Sequence, residues 1–232
     1  MVFLISLSSL NQLTGQEAKE VSGPSFGGLG FYTPGINTIQ FNKLNDVLPA
    51  GYPVITNKPL LTGGSGYFIF SNVMIGGELG TIRGGSFTRD QQQVDLSGDY
   101  HFFSLGYVVL NRKGIVVYPT VSIGNNNLQI YIHQKDEPAS FATVTGEPFQ
   151  SATLHDKTRM LKFAVSGLYS VTGNKSAKGA DGFMVGLQAG YQMAYRDGDW
   201  NYDSGAVTDG PDFSTNGFFI QLMIGGGGVK RK

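Results

Sequence analysis

The sequence predicts an all-β fold, an eight-stranded antiparallel up-and-down transmembrane β-barrel with short turns at one end and long loops at the other. Three observations predict this fold. Residues 183–196 alternate apolar with small or polar side chains, seven further segments share this period of two, and the connections between the segments alternate in length. An even strand count with alternating short and long connections is typical of transmembrane barrels.

The segment 183–196 has one apolar face and one face of mainly small and polar residues. The apolar face carries Phe183, Val185, Leu187, Ala189, Tyr191, Met193 and Tyr195, and the other carries Met184, Gly186, Gln188, Gly190, Gln192, Ala194 and Arg196. Roughly 9 to 11 tilted residues of a strand cross a hydrocarbon layer. We therefore expect the apolar face to contact lipid and the other face to line a narrow polar interior.

The other predicted strands follow the same pattern. In chain order they span residues 25–33, 60–70, 73–82, 100–110, 115–124, 159–171 and 216–225. Leu79, Phe103, Phe163 and Leu222 are among the outward positions. Glu78 lies on an otherwise apolar strand and is therefore expected to point into the barrel.

Two irregularities are expected in the middle of the chain. Pro119 cannot donate a ladder hydrogen bond and predicts a local bulge. Beyond residues 125–127, Leu128, Ile130 and Ile132 occupy alternate positions that were polar before the asparagines. A slip of one residue reverses the faces of a strand, which predicts a second bulge there and a hairpin arm that leaves the membrane.

The connections are predicted from their polarity and glycine content. Short connections fall at residues 71–72, 111–114 and 173–182, and long ones at 34–59, 83–99, 134–158 and 197–215. Within the first long connection, Ile39, Phe41, Leu44 and Leu48 recur at nearly helical spacing behind an Asn37/Thr38 cap. This predicts a short helix over residues 37–48, packed on or into the barrel mouth.

Composition excludes several classes of function. The 232 residues include 17 basic and 17 acidic side chains and no cysteine. A balanced charge provides no electrostatic footprint for nucleic acid, and the absence of cysteine rules out disulfides, a thiolate metal site and a catalytic cysteine. The 34 glycines suit a small barrel, whose interior has little room.

The chain divides into four predicted regions. Residues 1–15 are apolar and then small or polar, which predicts a signal peptide that lacks its basic start. A short buried strand or helix is the alternative for this region. Residues 16–24 are predicted to be a periplasmic segment, 25–228 the barrel and 229–232 a basic tail.

Four motifs within residues 25–80 carry a resemblance. They are Leu44-Asn-Asp-Val-Leu48, Gly51-Tyr-Pro53, Thr62-Gly-Gly-Ser-Gly-Tyr67 and Asn72-Val-Met-Ile-Gly-Gly-Glu78. They resemble the first hairpin of a group of small outer-membrane barrels from Bacteroidota, which have the OmpA/OmpX-like architecture. The resemblance implies this fold and the outer membrane of a Gram-negative cell, and it implies no particular activity. The alternation of short and long connections predicts that both chain ends lie in the periplasm.

The inward positions of the predicted strands carry a polar set, Glu78, Lys162, Gln188, Gln192, Arg196 and Gln221. Buried charges are tolerated when they are paired. We therefore expect a network of salt bridges and amides in the lumen, in which Glu78 is matched by Lys162 or Arg196. An ion or proton path is the alternative, although eight strands leave little room for a continuous pore.

The histidines are the candidates for chemistry at the rim. If residues 134–158 form a hairpin, His133 and His155 lie near each other on opposed strands, close to Asp156. His101 lies lower, on the strand 100–110. Outer-membrane barrel hydrolases use histidine with serine or aspartate at this rim, but no motif places a serine beside these histidines. We expect no catalytic residue, no metal site and no cofactor.

These observations favour a non-enzymatic outer-membrane protein that acts through its extracellular loops, in adhesion, surface protection or as a subunit of a larger membrane complex. Its expected partners are outer-membrane lipid and a protein of such a complex, and no small-molecule substrate is inferred. The alternatives are a rim-sited hydrolase and a soluble lipocalin-like barrel. A lipocalin would enclose an apolar cup, whereas here Gln188, Gln192 and Arg196 share their face with glycines.

Overall fold

The computed structural model describes residues 23–39, 41–56, 58–134, 152–173, 175–176, 179–202, 205–206 and 215–231. Its strands are β1 (Ser25–Tyr32), β2 (Gly35–Asn37), β3 (Leu60–Phe70), β4 (Val73–Arg89), β5 (Gln92–Tyr107), β6 (Leu110–Arg112), β7 (Ile115–Gln134), β8 (Ala152–Ser170), β9 (Lys175–Ser176), β10 (Gly179–Tyr202), β11 (Gly205–Ala206) and β12 (Gly217–Arg231). A short helix, α1, spans Asn42–Val47. Within these ranges, no helix has the length and apolar character needed to cross a membrane.

In the described part of the chain, eight of these strands form a closed antiparallel ring. β1 pairs with β3 on one side and with β12 on the other, and the ring continues through β4, β5, β7, β8 and β10. β2 extends β1 in the same register, because Tyr32 pairs with Gly64 and Gly35 with Leu61. The predicted fold class is confirmed.

Two tight turns mark one end of the ring. Ser71 and Asn72 have φ of 52° and 69°, and Lys113 and Gly114 have φ of 52° and 84°. Two successive residues with positive φ match the right-handed twist of the flanking strands. Both turns lie where the sequence predicts short connections. We call this end of the barrel the turn end, and the opposite end, where α1 lies, the mouth end.

The predicted long loop over residues 83–99 is wrong, because β4 and β5 remain paired as far as Arg89 and Gln92 and turn at Asp90. A register shift between Arg83 and Gly85 explains the error. A bulge reverses which positions face inward, so the alternation breaks in the sequence although the strand continues. Strands also extend into the predicted long connections 134–158 and 197–215, since β8 begins at Ala152 and β10 ends at Tyr202.

The two bulges predicted in β7 are absent from its ladders. Pro119 pairs with Val165 in regular register, one residue beyond the last partner of β5, where a residue without N–H is tolerated. The register also passes through residues 125–127 without a shift. Leu128 and Ile130 are buried on the same face as Tyr118. The strand therefore keeps its inward face, and the interior itself changes from polar to apolar toward the mouth end.

The helix is shorter than the predicted range 37–48. Asn37 belongs to β2, and Thr38 Oγ1 donates to the Phe218 carbonyl (3.0 Å) instead of capping the helix. Asn45 holds the returning chain, because its side chain donates to the Ile55 carbonyl (3.0 Å) and accepts from the Ile55 N–H (2.9 Å). This two-bond clamp fixes the segment over the mouth end.

The predicted chain ends are only partly described. The predicted signal peptide, residues 1–15, and most of the predicted periplasmic segment 16–24 lie outside the described residues, as does Lys232. β12 continues to Arg231, so the predicted basic tail begins inside this strand.

The outer surface carries a continuous apolar belt. Each ring strand contributes exposed large apolar side chains, among them Tyr32, Phe68, Ile75, Phe103, Val121, Val165, Leu187 and Leu222. Toward the mouth end the belt stops at one level on β5, β7 and β8. The neighbouring residues Phe103, Ile123 and Leu161 form its last row, and His101, Asn125 and Arg159 form the next. Along β7 the belt covers residues 115–123, roughly the length that crosses a hydrocarbon layer.

The interior is filled in three layers. An apolar layer at the turn end contains Leu29, Phe31, Tyr67, Ile69, Met74, Tyr118, Met184 and Met223. A polar layer lies around Glu78 and Lys162, and a second apolar layer at the mouth end joins α1 to the inner face of β5 and β7. The prediction of a polar interior therefore holds mainly for the middle layer, although Ser25, Asn111 and Ser170 are buried polar residues at the turn end.

The belt predicts a large effect of charge at its centre. Leu187 and Leu222 are cross-strand partners, and each is about half exposed. Leu187→Arg or Leu222→Arg should each lower the free energy of unfolding by about 2 to 4 kcal/mol, because the cation must be desolvated in lipid. Urea unfolding in lipid vesicles measures this.

The matched control is Ser97→Arg, at an exposed position of β5 beyond the mouth-end edge of the belt. It should change the free energy of unfolding by less than about 1 kcal/mol. If the two leucine variants unfold at the same urea concentration as the parent, this surface does not face lipid.

Candidate functional site

The middle layer is built around one buried ion pair. Glu78 on β4 and Lys162 on β8 face inward from opposite sides of the ring and are 4% and 3% exposed. Lys162 Nζ donates to Glu78 Oε2 at 2.6 Å. The sequence predicts Lys162 or Arg196 as the partner of Glu78, and the structure pairs Glu78 with Lys162.

Gln221 on β12 closes this pair into a triangle. Its Nε2 donates to Glu78 Oε1 (2.9 Å) and its Oε1 accepts from Lys162 Nζ (3.4 Å). The ammonium group also lies 4.3 Å from the centre of the Phe219 ring, where an aromatic face attracts a cation. The carboxylate and the ammonium are therefore both compensated by neighbouring side chains.

Tyr100 supports the triangle from β5. Its hydroxyl accepts from Gln221 Nε2 at 3.4 Å. The aromatic ring of Tyr100 has room because the positions that face it are glycines. A Cβ at Gly63 or Gly80 would lie 2.5 or 2.6 Å from the Tyr100 hydroxyl oxygen. These two glycines are thus needed for the polar layer.

The other predicted lumen amides make separate contacts. Gln188 Nε2 donates to Ser166 Oγ (3.0 Å), and Gln192 Nε2 donates to the Thr215 carbonyl (3.0 Å). For Arg196 only the backbone is described. Its Cα partner is Arg159, after a register shift beyond Ala194. That shift interrupts the alternation on which the inward assignment of Arg196 depended.

A small cavity lies on the mouth side of the ion pair. Its walls include Asn37, Asn126, Gln192, Glu78 and Lys162. The empty volume is about 220 Å³, which includes the space at the opening of the cavity. Both apolar layers flank this polar level, so within the described residues the lumen contains packed side chains rather than a continuous pore. The arrangement satisfies the buried charges of Glu78 and Lys162 within the barrel.

The segment with α1 covers the mouth end. Ile39, Phe41, Leu44 and Ile55 are buried against Val94, Leu96, Leu128, Ile130 and Trp200. The apolar spacing in the sequence therefore identified the buried positions correctly, although the helix is shorter than predicted. The rest of β4, β5, β7 and β8 rises beyond the belt as a sheet, which we call the outer wall and define as residues 83–89, 92–101, 125–134 and 152–159.

The rim candidates do not converge. His155 pairs with Gln129 across the sheet, four residues along β7 from His133, so the two histidines are about 13 Å apart along the strand. The expectation that they lie near each other is wrong for that reason. Asp156 is buried and accepts from Thr158 Oγ1 (2.8 Å), and His101 shares a hydrogen bond with Asn125 (3.0 Å) on the outer face.

The structure reveals one polar cluster that the sequence reading missed. Asp95 accepts a hydrogen bond from Ser86 Oγ and one from Gln93 Nε2 (3.2 Å), and its carboxylate lies 3.7 Å from His133 Nδ1. Ser86, Gln93 and Asp95 fall in the range 83–99, which the sequence predicts to be a loop. The alternation of Gln93 and Asp95 with the apolar Val94 and Leu96 was the signal available.

This cluster lacks the arrangement of a nucleophilic triad. In a triad the histidine receives the serine proton and the carboxylate orients the histidine, whereas here the carboxylate lies between Ser86 and His133. Among the described residues, no group of three or more His, Cys, Asp or Glu side chains could hold a metal ion.

A closed ring of eight strands, an apolar outer belt and a filled interior define a small transmembrane β-barrel. No family model matches the chain, and no curated protein matches its sequence. The solved structures to which it is similar include outer-membrane proteins.

Three of these similar structures are described by their sequence identity, coverage and TM-score. The attachment invasion locus protein Ail of Yersinia pestis is 12% identical with a TM-score of 0.43, and the match covers 89% of this chain and 99% of Ail. The outer-membrane protein AlkL is 12% identical with a TM-score of 0.36, covering 96% and 98%. The outer-membrane protease OmpT of Escherichia coli is 8% identical with a TM-score of 0.23, covering 90% and 96%. Such values are too low to carry an argument about activity.

The ion pair predicts an asymmetric response to mutation. Glu78→Gln should lower the free energy of unfolding by about 3 to 5 kcal/mol, because Lys162 would remain buried without a countercharge. The double variant Glu78→Gln with Lys162→Met should recover most of this loss. Urea unfolding of the parent, both single variants and the double variant in lipid vesicles gives the coupling energy, and additive effects of the two changes would contradict a direct pair.

Proposed function

We propose that the chain is a non-enzymatic outer-membrane β-barrel of a Gram-negative bacterium, and that it acts by presenting the outer wall and the covered mouth end to a partner outside the cell or within a larger membrane complex. The observation that carries the proposal is the belt, to which every ring strand contributes and which gives way to the polar row of His101, Asn125 and Arg159 on β5, β7 and β8. The resemblance of residues 25–80 to small Bacteroidota barrels supports the same placement.

The filled lumen argues against transport through the centre of the barrel. An eight-stranded ring is just wide enough for side chains to fill, and here Tyr67, Met74, Tyr118, Met184 and Met223 fill its turn end. The same packing argues against a lipocalin-like role. An apolar ligand would need an empty cup, and the apolar layers are occupied by the chain's own side chains.

The outer wall supports a surface role. β7 and β8 pair from Ile115 with Tyr169 at the turn end to Ile132 with Ala152 at the far end, about twice the length that crosses a hydrocarbon layer. Its inner face is fixed by packing against Ile39, Phe41 and Leu44. A rigid sheet that projects beyond the belt provides a preformed surface, which lowers the ordering cost of binding.

The proposed placement predicts which turn is outside the cell. An epitope tag inserted between Asp90 and Gln91, at the tip of the outer wall, should be labelled by antibody on intact cells. The same tag between Lys113 and Gly114, at the turn end, should be labelled only after the outer membrane is permeabilised. Labelling of the second tag alone on intact cells, or of neither tag after permeabilisation, would refute the proposed orientation or location.

A rim-sited hydrolase is the second candidate, and the cluster of Ser86, Asp95 and His133 is the observation that favours it. A general base must lie within hydrogen-bond reach of the proton that it removes, and the hydrogen bond of Ser86 goes to Asp95 instead. We therefore propose that the cluster has a structural role, in which it ties β4, β5 and β7 together across the outer face.

The non-enzymatic proposal predicts that His133→Ala combined with His155→Ala leaves the barrel folded and removes no hydrolytic activity. Deacylation of outer-membrane lipid and cleavage of a peptide library are measured with the purified parent and the double variant in detergent. An activity that is present in the parent and lost in the folded double variant would make the hydrolase the better description.

A further inference from the structure

The mouth-end edge of the belt carries an exposed cationic site on β7 and β8. Lys157 and Arg159 lie two residues apart on β8, so their side chains leave the same face of the sheet, and both are exposed. Asn127 and Asn125 are their respective cross-strand partners on β7. We call these four residues the edge site.

The cations of the edge site form no ion pair with a described side chain. In the ranges that the structure describes, neither Lys157 nor Arg159 forms an ion pair, and the nearby carboxylate of Asp99 accepts from Asn127 Nδ2 at 2.8 Å. The outward Lys230 at the turn end differs, because its Nζ lies 3.8 Å from Asp181 Oδ2. On the other side of β8, the Cα partners of Lys157 and Arg159 are Asp199 and Arg196 of β10, so the site has one further acidic and one further basic neighbour.

The apolar row directly below the edge site is the second observation. Leu161 follows Arg159 on the same face of β8, Ile123 is its partner on β7, and Phe103 is the partner of Ile123 on β5. Ile123 and Phe103 are 48% and 53% exposed. Cationic groups thus stand at the level where exposed hydrocarbon surface ends, which is the geometry of an amphiphile with an anionic head and apolar chains.

We propose that the edge site binds the phosphate of an outer-leaflet glycolipid, with the acyl chains of that lipid lying along Leu161, Ile123 and Phe103. The guanidinium of Arg159 offers a planar fork of N–H groups that matches phosphate oxygens, and Lys157 adds a point charge. This inference depends on the proposed membrane placement, since it requires the belt to face lipid.

The height of the site favours a lipid over other anions. A free phosphate or an acidic peptide would gain nothing from the apolar row, whereas a phosphorylated glycolipid contacts both levels at once. Lys157 and Arg159 together should add on the order of tenfold to thirtyfold in affinity, from the attraction of two cations at a membrane surface.

The test uses the full-length barrel, delipidated in detergent and titrated with lipid A that carries its phosphates or with the same lipid A after phosphate removal. Native mass spectrometry counts the lipid molecules retained. The test variant is Lys157→Gln with Arg159→Gln, and the matched control is Arg112→Gln with Lys113→Gln, which removes two exposed cations at the turn end. Heat-modifiable migration in gels verifies that each protein is folded.

We expect the parent and the turn-end control to retain phosphorylated lipid A at least about tenfold better than the folded edge variant, with little preference left for the phosphorylated form in that variant. Equal retention by the parent and the edge variant, or equal binding of both forms of lipid A to the parent, would overturn the proposal. Competition by millimolar inorganic phosphate would identify a free-anion site and would overturn the lipid assignment. Because binding is measured in detergent, failure here is distinguishable from failure of the tag experiment, which tests cellular placement.

Discussion

The rest of this structure depends on one constraint. The backbone N–H and C=O groups of every ring strand must be hydrogen-bonded to a neighbouring strand. In hydrocarbon an unpaired N–H or C=O costs several kcal/mol, so a sheet must close on itself. Here closure is made by β1, which is bonded to β3 on one side and to β12 on the other. Once the ring is closed, alternate side chains must face either lipid or a lumen of fixed width, and both surfaces of the protein follow from that division.

The lumen shows how a narrow ring is filled. Large side chains from opposite strands meet at the centre, and glycines face them where two large groups would collide, as Gly80 does beneath Tyr100. The buried ion pair lies at the level where Glu78, Lys162 and Gln221 satisfy one another. At the turn end the buried Asn111 is satisfied separately, because its Nδ2 donates to the Ser25 hydroxyl (3.3 Å) and to the Val229 carbonyl (3.2 Å).

The outer surface is ordered by height in the same way. On β5, β7 and β8 the belt ends where His101, Asn125 and Arg159 stand side by side, and beyond that level the segment with α1 packs against the inner face of the outer wall. Two proposals depend on the position of this boundary. One is the location of the protein in the outer membrane, and the other is the binding of a lipid at the edge site. The ion pair, by contrast, concerns stability alone.

The sequence by itself determined the fold class, the direction in which most side chains point and five of the six predicted lumen residues, because a period of two needs no knowledge of distant residues. It did not determine which positions lay beside each other. The bulge after Arg83 reversed the alternation and concealed the β4–β5 hairpin, and apolar inward residues such as Leu128 looked like a slipped register. Only the tertiary structure decided these points, because an inward apolar side chain in the outer wall is buried by α1, a segment distant in the chain whose position depends on ring closure and on the clamp between Asn45 and Ile55.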